Sequence, residues 1–223
     1  MDKHINFFEL QKAAEKPGCP LCRIAADRAR RYIDNMLFEH VSDRGFRARY
    51  RAAGGFCGFH ARGLEAFRDG LAVAILGRDI LEDRIDAFRK LKPWRPKSPC
   101  PVCEEQARIE EEYLGFLAGT GEAGPQTAEP AKEENEFRAV FTASDGLCAP
   151  HYARLLLTPR GKARSVPLWL KDFQETKFRD LLARAGRFIE LSAYGRQEEF
   201  ASLPESDKLV WKELARSLRG PEA

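Results

Sequence analysis

Two stretches of the sequence, "FRARYRAAGGFCGFH" at residues 46–60 and "FRAVFTASDGLCAPH" at residues 137–151, resemble each other from end to end. Both begin with F-R-A and both end with G-x-C-x-x-H. Each stretch is also preceded along the chain by the pattern C-P-x-C. The order C-P-x-C then C-x-x-H therefore occurs twice, which predicts an internal duplication.

The repeated patterns contain all six cysteines of the chain and two of its four histidines. Three thiolates and one imidazole form the Cys3His set that binds Zn²⁺ in tetrahedral structural sites, and soft thiolate ligands disfavour Mg²⁺ and Ca²⁺. We therefore expect about two zinc ions per chain. The candidate ligands are Cys19, Cys22, Cys57 and His60 in the first repeat and Cys100, Cys103, Cys148 and His151 in the second.

Spacing alone leaves open whether the ligands pair within a repeat or across the two repeats. We assign each C-P-x-C to the C-x-x-H of its own repeat, because each repeat is then self-sufficient. An iron–sulfur centre is the alternative metal, and buried thiols or a Cys–His nucleophile and base are the alternatives without one. A c-type haem is disfavoured because no histidine follows either C-P-x-C.

Apolar residues recur at helical spacing along most of the chain, and alternation typical of strands is absent. The predicted fold is an all-α duplicated helical bundle, each half pinned by a Cys3His metal site. One long helix is expected to run unbroken from Phe59 to about Leu91. Other helices are expected at Phe7–Glu15, from Pro20 to about His40, at Phe46–Ala52, from Pro101 to about Leu117, from Leu168 to Ile189, and in the tail with Ser206 as its N-cap.

The domain division follows the repeats. Residues 1–92 form the first half, a Pro-rich joint lies at 93–99, and residues 100–194 form the second half. A segment near 118–132, rich in Gly, Pro, Ala and Glu, is expected to be a flexible loop. Residues 195–223 are expected to form a C-terminal tail helix.

Composition excludes few functions. Lys and Arg number 37 against 34 Asp and Glu, and a net charge of +3 does not by itself imply nucleic acid or a membrane surface. We find no apolar run of signal-peptide or membrane-spanning length, so a cytoplasmic protein without a membrane partner is expected. Local basic patches are an arginine cluster, Arg28, Arg30, Arg31, Arg44, Arg47, Arg49 and Arg51, and the tail cations Lys208, Lys212, Arg216 and Arg219.

The order of C-P-x-C, long helix, "GFCxxH", second C-P-x-C and "GLCxxH" resembles a bacterial family of unknown function, whose members are cysteine-rich all-helical proteins with these motifs duplicated. The resemblance extends from about Phe7 to Tyr194 and is specific at the eight metal-type positions. It implies a zinc-binding cytoplasmic protein and brings no established activity.

The sequence carries no P-loop, dinucleotide-binding, H-E-x-x-H or paired-carboxylate motif in the usual forms, which favours a non-enzymatic role. The leading hypothesis is a zinc-stabilised structural, regulatory or protein-interaction module with a protein partner. The alternatives are a thiol-based redox sensor or metal-handling protein, and a nucleic-acid-binding protein that uses the arginine cluster.

Overall fold

The computed structural model describes residues 3–67, 69–119 and 132–219, and its regular structure is helical. The all-α prediction is confirmed, since the described residues contain no strand beyond an isolated bridge between Leu157 and Ala163. The predicted loop near 118–132 falls mainly outside the described residues. The helices are α1 (Lys3–Ala14), α2 (Pro20–Asn35), α3 (Arg44–Ala53), α4 (Gly58–Arg62), α5 (Gly70–Arg89), α6 (Pro101–Gly119), α7 (Lys132–Ala143), α8 (Ala149–Leu156), α9 (Leu168–Leu191), α10 (Gln197–Ala201), α11 (Glu205–Lys208) and α12 (Val210–Arg219).

The prediction of one unbroken helix after Phe59 is wrong. The chain forms the short helix α4, a 3-10 turn at Leu64–Ala66 and then the separate helix α5. Asp69 caps the new helix, because its carboxylate accepts a hydrogen bond of 2.9 Å from the Ala72 backbone N–H. Both repeats therefore have a short helix after the C-x-x-H cysteine and a separate long helix beyond it.

Smaller differences occur at two helix ends. Helix α2 ends at Asn35 and continues as a π-helical turn over Met36–His40, so the expected helix to His40 changes its winding in its last turn. Ser206 lies inside α11, whose N-cap is Pro204, so the predicted serine cap is wrong. The described part of the tail, residues 195–219, forms three helices, α10, α11 and α12, where one helix was expected.

The chain divides into two compact units. The first contains the described residues up to Ile24 and from Glu111 onward, and the second contains Ala25–Glu110. The division falls inside helices α2 and α6. The sequence-derived boundaries at 1–92 and 100–194 follow the repeats, and as domain boundaries they stay a prediction.

In the second unit, side chains from α2, α3 and α5 form one apolar core. Helix α3 is joined to α5 by two arginine–aspartate pairs one helical turn apart. Arg47 donates two hydrogen bonds of 2.7 and 2.6 Å to Asp79, and Arg51 binds Asp83 in the same two-pronged way. Asp79 is only 1% exposed, so its partner compensates the cost of burying a carboxylate.

In the first unit, Arg184 of α9 forms ion pairs with the tail helices α11 and α12. Its guanidinium binds Asp207 of α11 at 2.9 Å and Glu213 of α12 at 2.7 Å, and Asp180 of its own helix at 3.4 Å. Asp207 is buried, so this contact also satisfies a carboxylate that has little access to water. Within the described residues, no helix has the length and apolar character needed to span a membrane.

Candidate metal centres

Each of the repeated cysteine motifs lies at the N-terminus of a helix. Cys57 and Cys148 are the N-caps of α4 and α8, and Cys19 and Cys100 directly precede the first residues of α2 and α6. The carbonyl of each of these four cysteines accepts a hydrogen bond from the N–H four residues later, as the N-cap of a helix does. The second ligand of each motif follows three residues on, in the first helical turn, so both side chains lie beside the same helix end.

The structure brings all eight candidate ligands together in two groups of four. One group contains Cys19, Cys22, Cys148 and His151, from the first and last motifs along the sequence, and we name it the outer cluster. The other contains Cys57, His60, Cys100 and Cys103, from the two motifs between them, and we name it the inner cluster. Within each group the ligand atoms all lie within 4.8 Å of one another. The outer cluster belongs to the first unit and the inner cluster to the second.

The pairing within each repeat that we assumed from the sequence is wrong, because each cluster takes its C-P-x-C from one repeat and its C-x-x-H from the other. The length of α2 explains this. Ile33, Met36 and Leu37, at its end and just beyond, pack in the same core as Phe46, Tyr50 and Phe56, which lead to Cys57. A helix of 16 residues is about 24 Å long, so the cysteines at its start cannot reach a ligand pair beside its end.

The distances in the outer cluster fit a tetrahedral zinc site. The Sγ atoms of Cys22 and Cys148 are 3.6 Å apart, and His151 Nδ1 lies 3.4, 3.4 and 3.2 Å from the Sγ atoms of Cys19, Cys22 and Cys148. Zn–S bonds of about 2.3 Å and Zn–N bonds of about 2.0–2.1 Å at tetrahedral angles require S···S of about 3.8 Å and S···N of about 3.6 Å.

The inner cluster has the same geometry. The Sγ atoms of Cys57 and Cys103 are 3.7 Å apart, and His60 Nδ1 lies 3.2, 3.6 and 3.5 Å from the Sγ atoms of Cys57, Cys100 and Cys103. A disulfide needs a sulfur separation of about 2.05 Å, and all six cysteines are free thiols. In both clusters Nδ1 is the imidazole atom that faces the sulfurs.

Crowding of the sulfur atoms changes the acidity of the thiols when no cation lies between them. In the outer cluster, burial raises the pKa of Cys19, but hydrogen bonds from Cys148, Cys22 and His151 outweigh burial and hold this pKa well below its usual value. Hydrogen bonds to Cys148 and Cys19, together with burial, raise the pKa of Cys22. In the inner cluster, burial and the charge of Cys100 raise the pKa of Cys103 to about 12. The thiols therefore cannot all ionise together unless a cation compensates their charge.

Backbone supports beside the ligands could not be seen in the sequence. Gln174, which is fully buried in α9, accepts a hydrogen bond of 2.7 Å from the Leu147 N–H and donates one of 2.9 Å to the Leu147 carbonyl. Leu147 directly precedes the candidate ligand Cys148. At the matching position of the other repeat, the Tyr50 hydroxyl bonds to the backbone of Phe56, which precedes Cys57.

The glycine before each of these positions is needed for the turn. Gly55 and Gly146 have φ values of +89° and +73°, which residues with a side chain rarely adopt. A Cβ at Gly146 would lie 2.8 Å from Gln174 Oε1. Backbone geometry therefore explains the glycine of the G-x-C part of the repeat, and the C-x-x-H part supplies two residues of a candidate metal site.

The structure separates the predicted arginine cluster into residues with different roles. Arg47 and Arg51 are bound to carboxylates of α5, whereas Arg30 and Arg31 of α2 are exposed. In the tail, Lys208 pairs with Glu205 and Lys212 lies over the Trp211 ring. Arg47, Arg51 and Lys208 therefore each have a carboxylate partner, which reduces the free positive charge of both predicted patches.

Comparison with known proteins gives one informative relative. The chain is 28% identical over 181 residues to an uncharacterized 23.9 kDa protein encoded in the xynA 3′ region of Caldicellulosiruptor sp. strain Rt8B.4, covering 79% of this chain and 83% of that protein. No family model matches the chain, and no solved structure matches it. The similarity is consistent with a bacterial family of unknown function and assigns no activity.

Proposed function

We propose that each cluster binds one zinc ion and that both ions hold the fold together. The observation that carries this proposal is the grouping of three sulfurs and one Nδ1 atom at the separations of a tetrahedral zinc sphere, twice in one chain. Four protein ligands complete the tetrahedron and leave no coordination position for a substrate, which supports a structural role over catalysis.

The helix ends supply a second argument for zinc. Three thiolates, one neutral imidazole and one Zn²⁺ carry a net charge of −1. In each cluster this charge would lie against two helix N-termini, whose exposed N–H groups and partial positive charge stabilise anions. Helices α2 and α8 meet the outer cluster in this way, and α6 and α4 meet the inner cluster.

We propose further that the protein is a non-enzymatic module for interaction with another protein, in a reducing compartment such as the cytoplasm. Six free thiols fit such a compartment. Elemental mass spectrometry of the protein purified without added metal, together with an absorption spectrum, tests the metal assignment. Two zinc ions per chain without visible absorbance are expected, whereas iron with a charge-transfer band would indicate the iron–sulfur alternative.

A second candidate is a thiol-based redox sensor or metal-handling protein. The observation in its favour is that two cysteines of each cluster are only half-buried, Cys19 and Cys22 in the outer and Cys57 and Cys103 in the inner. Peroxide that reaches two such thiolates would take up two electrons, forming one S–S bond and two hydroxide ions and releasing the zinc.

Mild peroxide treatment followed by a zinc-release assay and a count of free thiols separates the two candidates. Structural sites should keep both metals at peroxide concentrations that oxidise a free thiol. Release of one zinc for each disulfide formed, restored by a thiol reductant, would favour the sensor.

A further inference from the structure

The second unit contains a basic cleft of about 680 Å³ between α3, the end of α5 and the segment that follows α5. Its charged lining consists of the cations Arg51, Lys90, Lys92, Arg95 and Lys97 and the carboxylates Asp83 and Asp86. This volume lies within the range of about 300–1,000 Å³ typical of ligand sites. The cleft contains none of the eight candidate metal ligands.

Most of the positive charge in the cleft is uncompensated. Arg51 is paired with Asp83, which removes one charge of each sign. Among the residues whose side chains the structure describes, 5–67, 69–119 and 135–219, the side chains of Lys90, Lys92, Arg95 and Lys97 have no hydrogen-bond or ion-pair partner, and all four residues are exposed. Asp86 is the remaining carboxylate in the lining. The cleft therefore attracts a ligand that carries several negative charges.

The wall that carries these cations is held in place. A Cβ at Gly54 would lie 1.8 Å from the tip of the Trp94 ring, so only glycine permits this contact between Trp94 and the end of α3. The Arg84 guanidinium stacks on the same ring at 3.9 Å, and the Lys97 N–H donates a hydrogen bond of 2.7 Å to the Ala52 carbonyl. Proline also fixes the backbone φ at positions 93 and 96, so the backbone that carries Arg95 and Lys97 is held against α3.

We propose that the basic cleft binds an acidic peptide segment of a partner protein. Two observations favour a peptide over nucleic acid. Trp94 is the one aromatic residue in the lining and Arg84 covers one face of its ring, so the cleft lacks the series of aromatic side chains on which successive bases stack. Four free cations are also fewer than the roughly six to ten phosphate contacts of a typical DNA-binding protein, and Asp86 would repel a continuous phosphate chain. The inference deepens the proposed protein-interaction role and rests on it.

Fluorescence anisotropy with a labelled short poly-glutamate peptide at low ionic strength tests the proposal, with poly-glutamine and oligothymidylate of equal length as comparison probes. The test variant is Arg95→Glu/Lys97→Glu, and Lys90→Glu/Lys92→Glu serves as an independent second variant. The matched control is Arg30→Glu/Arg31→Glu, which makes the same charge change at exposed residues of α2 that have no partner among the described residues.

Poly-glutamate is expected to bind the wild-type protein more tightly than either comparison probe. The two cleft variants should weaken this binding by about tenfold or more, and the control by less than about twofold. Equal binding to the cleft variants and the control overturns the proposal, as does tighter, strongly salt-dependent binding of oligothymidylate. Metal content is measured on the same samples, so that wild-type protein without zinc counts against the metal proposal and not against the cleft.

Discussion

The Sγ atoms of Cys22 and Cys148 lie 3.6 Å apart although 126 positions separate these residues in the sequence. Cys22 belongs to the first repeat and Cys148 to the second, so this contact joins the two repeats. In this crossed pairing, each cluster combines the C-P-x-C of one repeat with the C-x-x-H of the other. The crossed pairing predicts different zinc contents for two double serine variants.

Cys22→Ser/Cys148→Ser removes two ligands from one cluster and should leave about one zinc ion per chain. Cys22→Ser/Cys57→Ser removes one ligand from each cluster and should leave both sites weakened, with less than one tightly held zinc ion. Each variant loses two thiols, so the two serve as controls for each other. Elemental analysis after dialysis measures the difference, and the reverse order of metal contents would contradict the crossed pairing.

Removal of the metal should unfold the protein. Structural zinc supplies on the order of 10–16 kcal/mol at neutral pH, which equals or exceeds the roughly 5–15 kcal/mol stability of a whole domain. A strong chelator should therefore abolish the cooperative thermal transition, and added zinc should restore it. Circular dichroism with and without chelator measures this change. A metal-free protein that melts at the same temperature would show that the clusters do not hold the fold.

Breaking the Arg47–Asp79 pair should destabilise the second unit far more than breaking the Arg51–Asp83 pair. Arg47→Met leaves the Asp79 carboxylate buried without a partner, which typically costs about 3–5 kcal/mol. Arg51→Met is the matched control, because the Asp83 side chain is 29% exposed and can be solvated by water. Urea unfolding measures both variants, and equal losses of stability would contradict the structural distinction.

Asp79 should also contribute to acid sensitivity. Its hydrogen bonds from Arg47 outweigh burial and lower its pKa from the usual value near 3.8. A carboxyl group with a lowered folded-state pKa adds stability that is fully present above the unfolded pKa and is lost as the pH falls through the folded pKa. The stability difference between wild type and Asp79→Asn should therefore stay constant from pH 7 to about 5 and shrink below about pH 4. A difference that stays constant across the acid range would exclude this role.

Gln174 should support the outer cluster without binding its metal. Gln174→Leu leaves the buried Leu147 N–H and carbonyl without partners, at a cost on the order of 1–3 kcal/mol for each group. It should also lower the metal affinity of the outer cluster by about 10-fold, the lower end of the effect of removing groups that position ligands. Gln174→Glu, which keeps the acceptor for the N–H, should lose less.

Chelator competition on both Gln174 variants measures the two metals separately, with the inner cluster as the internal reference. If both clusters lose affinity together, Gln174 acts through general stability. If neither changes, its hydrogen bonds to Leu147 do not position Cys148.

The two members of each candidate ligand pair could be identified from the sequence because each pair is local, and the structure brings these residues together. A cysteine before a helix and a second candidate ligand in the first turn lie close together because of local helix geometry. The motifs C-P-x-C and C-x-x-H can therefore be recognised without knowledge of the tertiary structure. The helix boundaries at Pro20 and Pro101 follow from the same local chemistry, because proline suits the first helical position.

The pairing of the motifs could not be read in this way. It depends on the length of α2 and on which apolar side chains pack at its end, and these are tertiary properties. The break before α5 did carry a local signal in Asp69 and Gly70, but helical spacing of Leu64, Phe67 and Leu71 concealed it. Gln174 carried no signal, since its partner is a backbone group 27 positions away.

The nesting of the two clusters has a consequence for synthesis on the ribosome. The inner cluster is complete in sequence once Cys103 has left the exit tunnel, whereas the outer cluster must wait for His151. During this interval Cys19 and Cys22 are two thiols without their final partners, while the four residues of the inner cluster have all been synthesised. Because domains fold as they emerge, N-terminal parts first, the inner metal should be loaded before the outer one. With little zinc available during translation, Cys19 and Cys22 would stay unbound for longer. They could then form a disulfide or bind a metal together with residues other than Cys148 and His151.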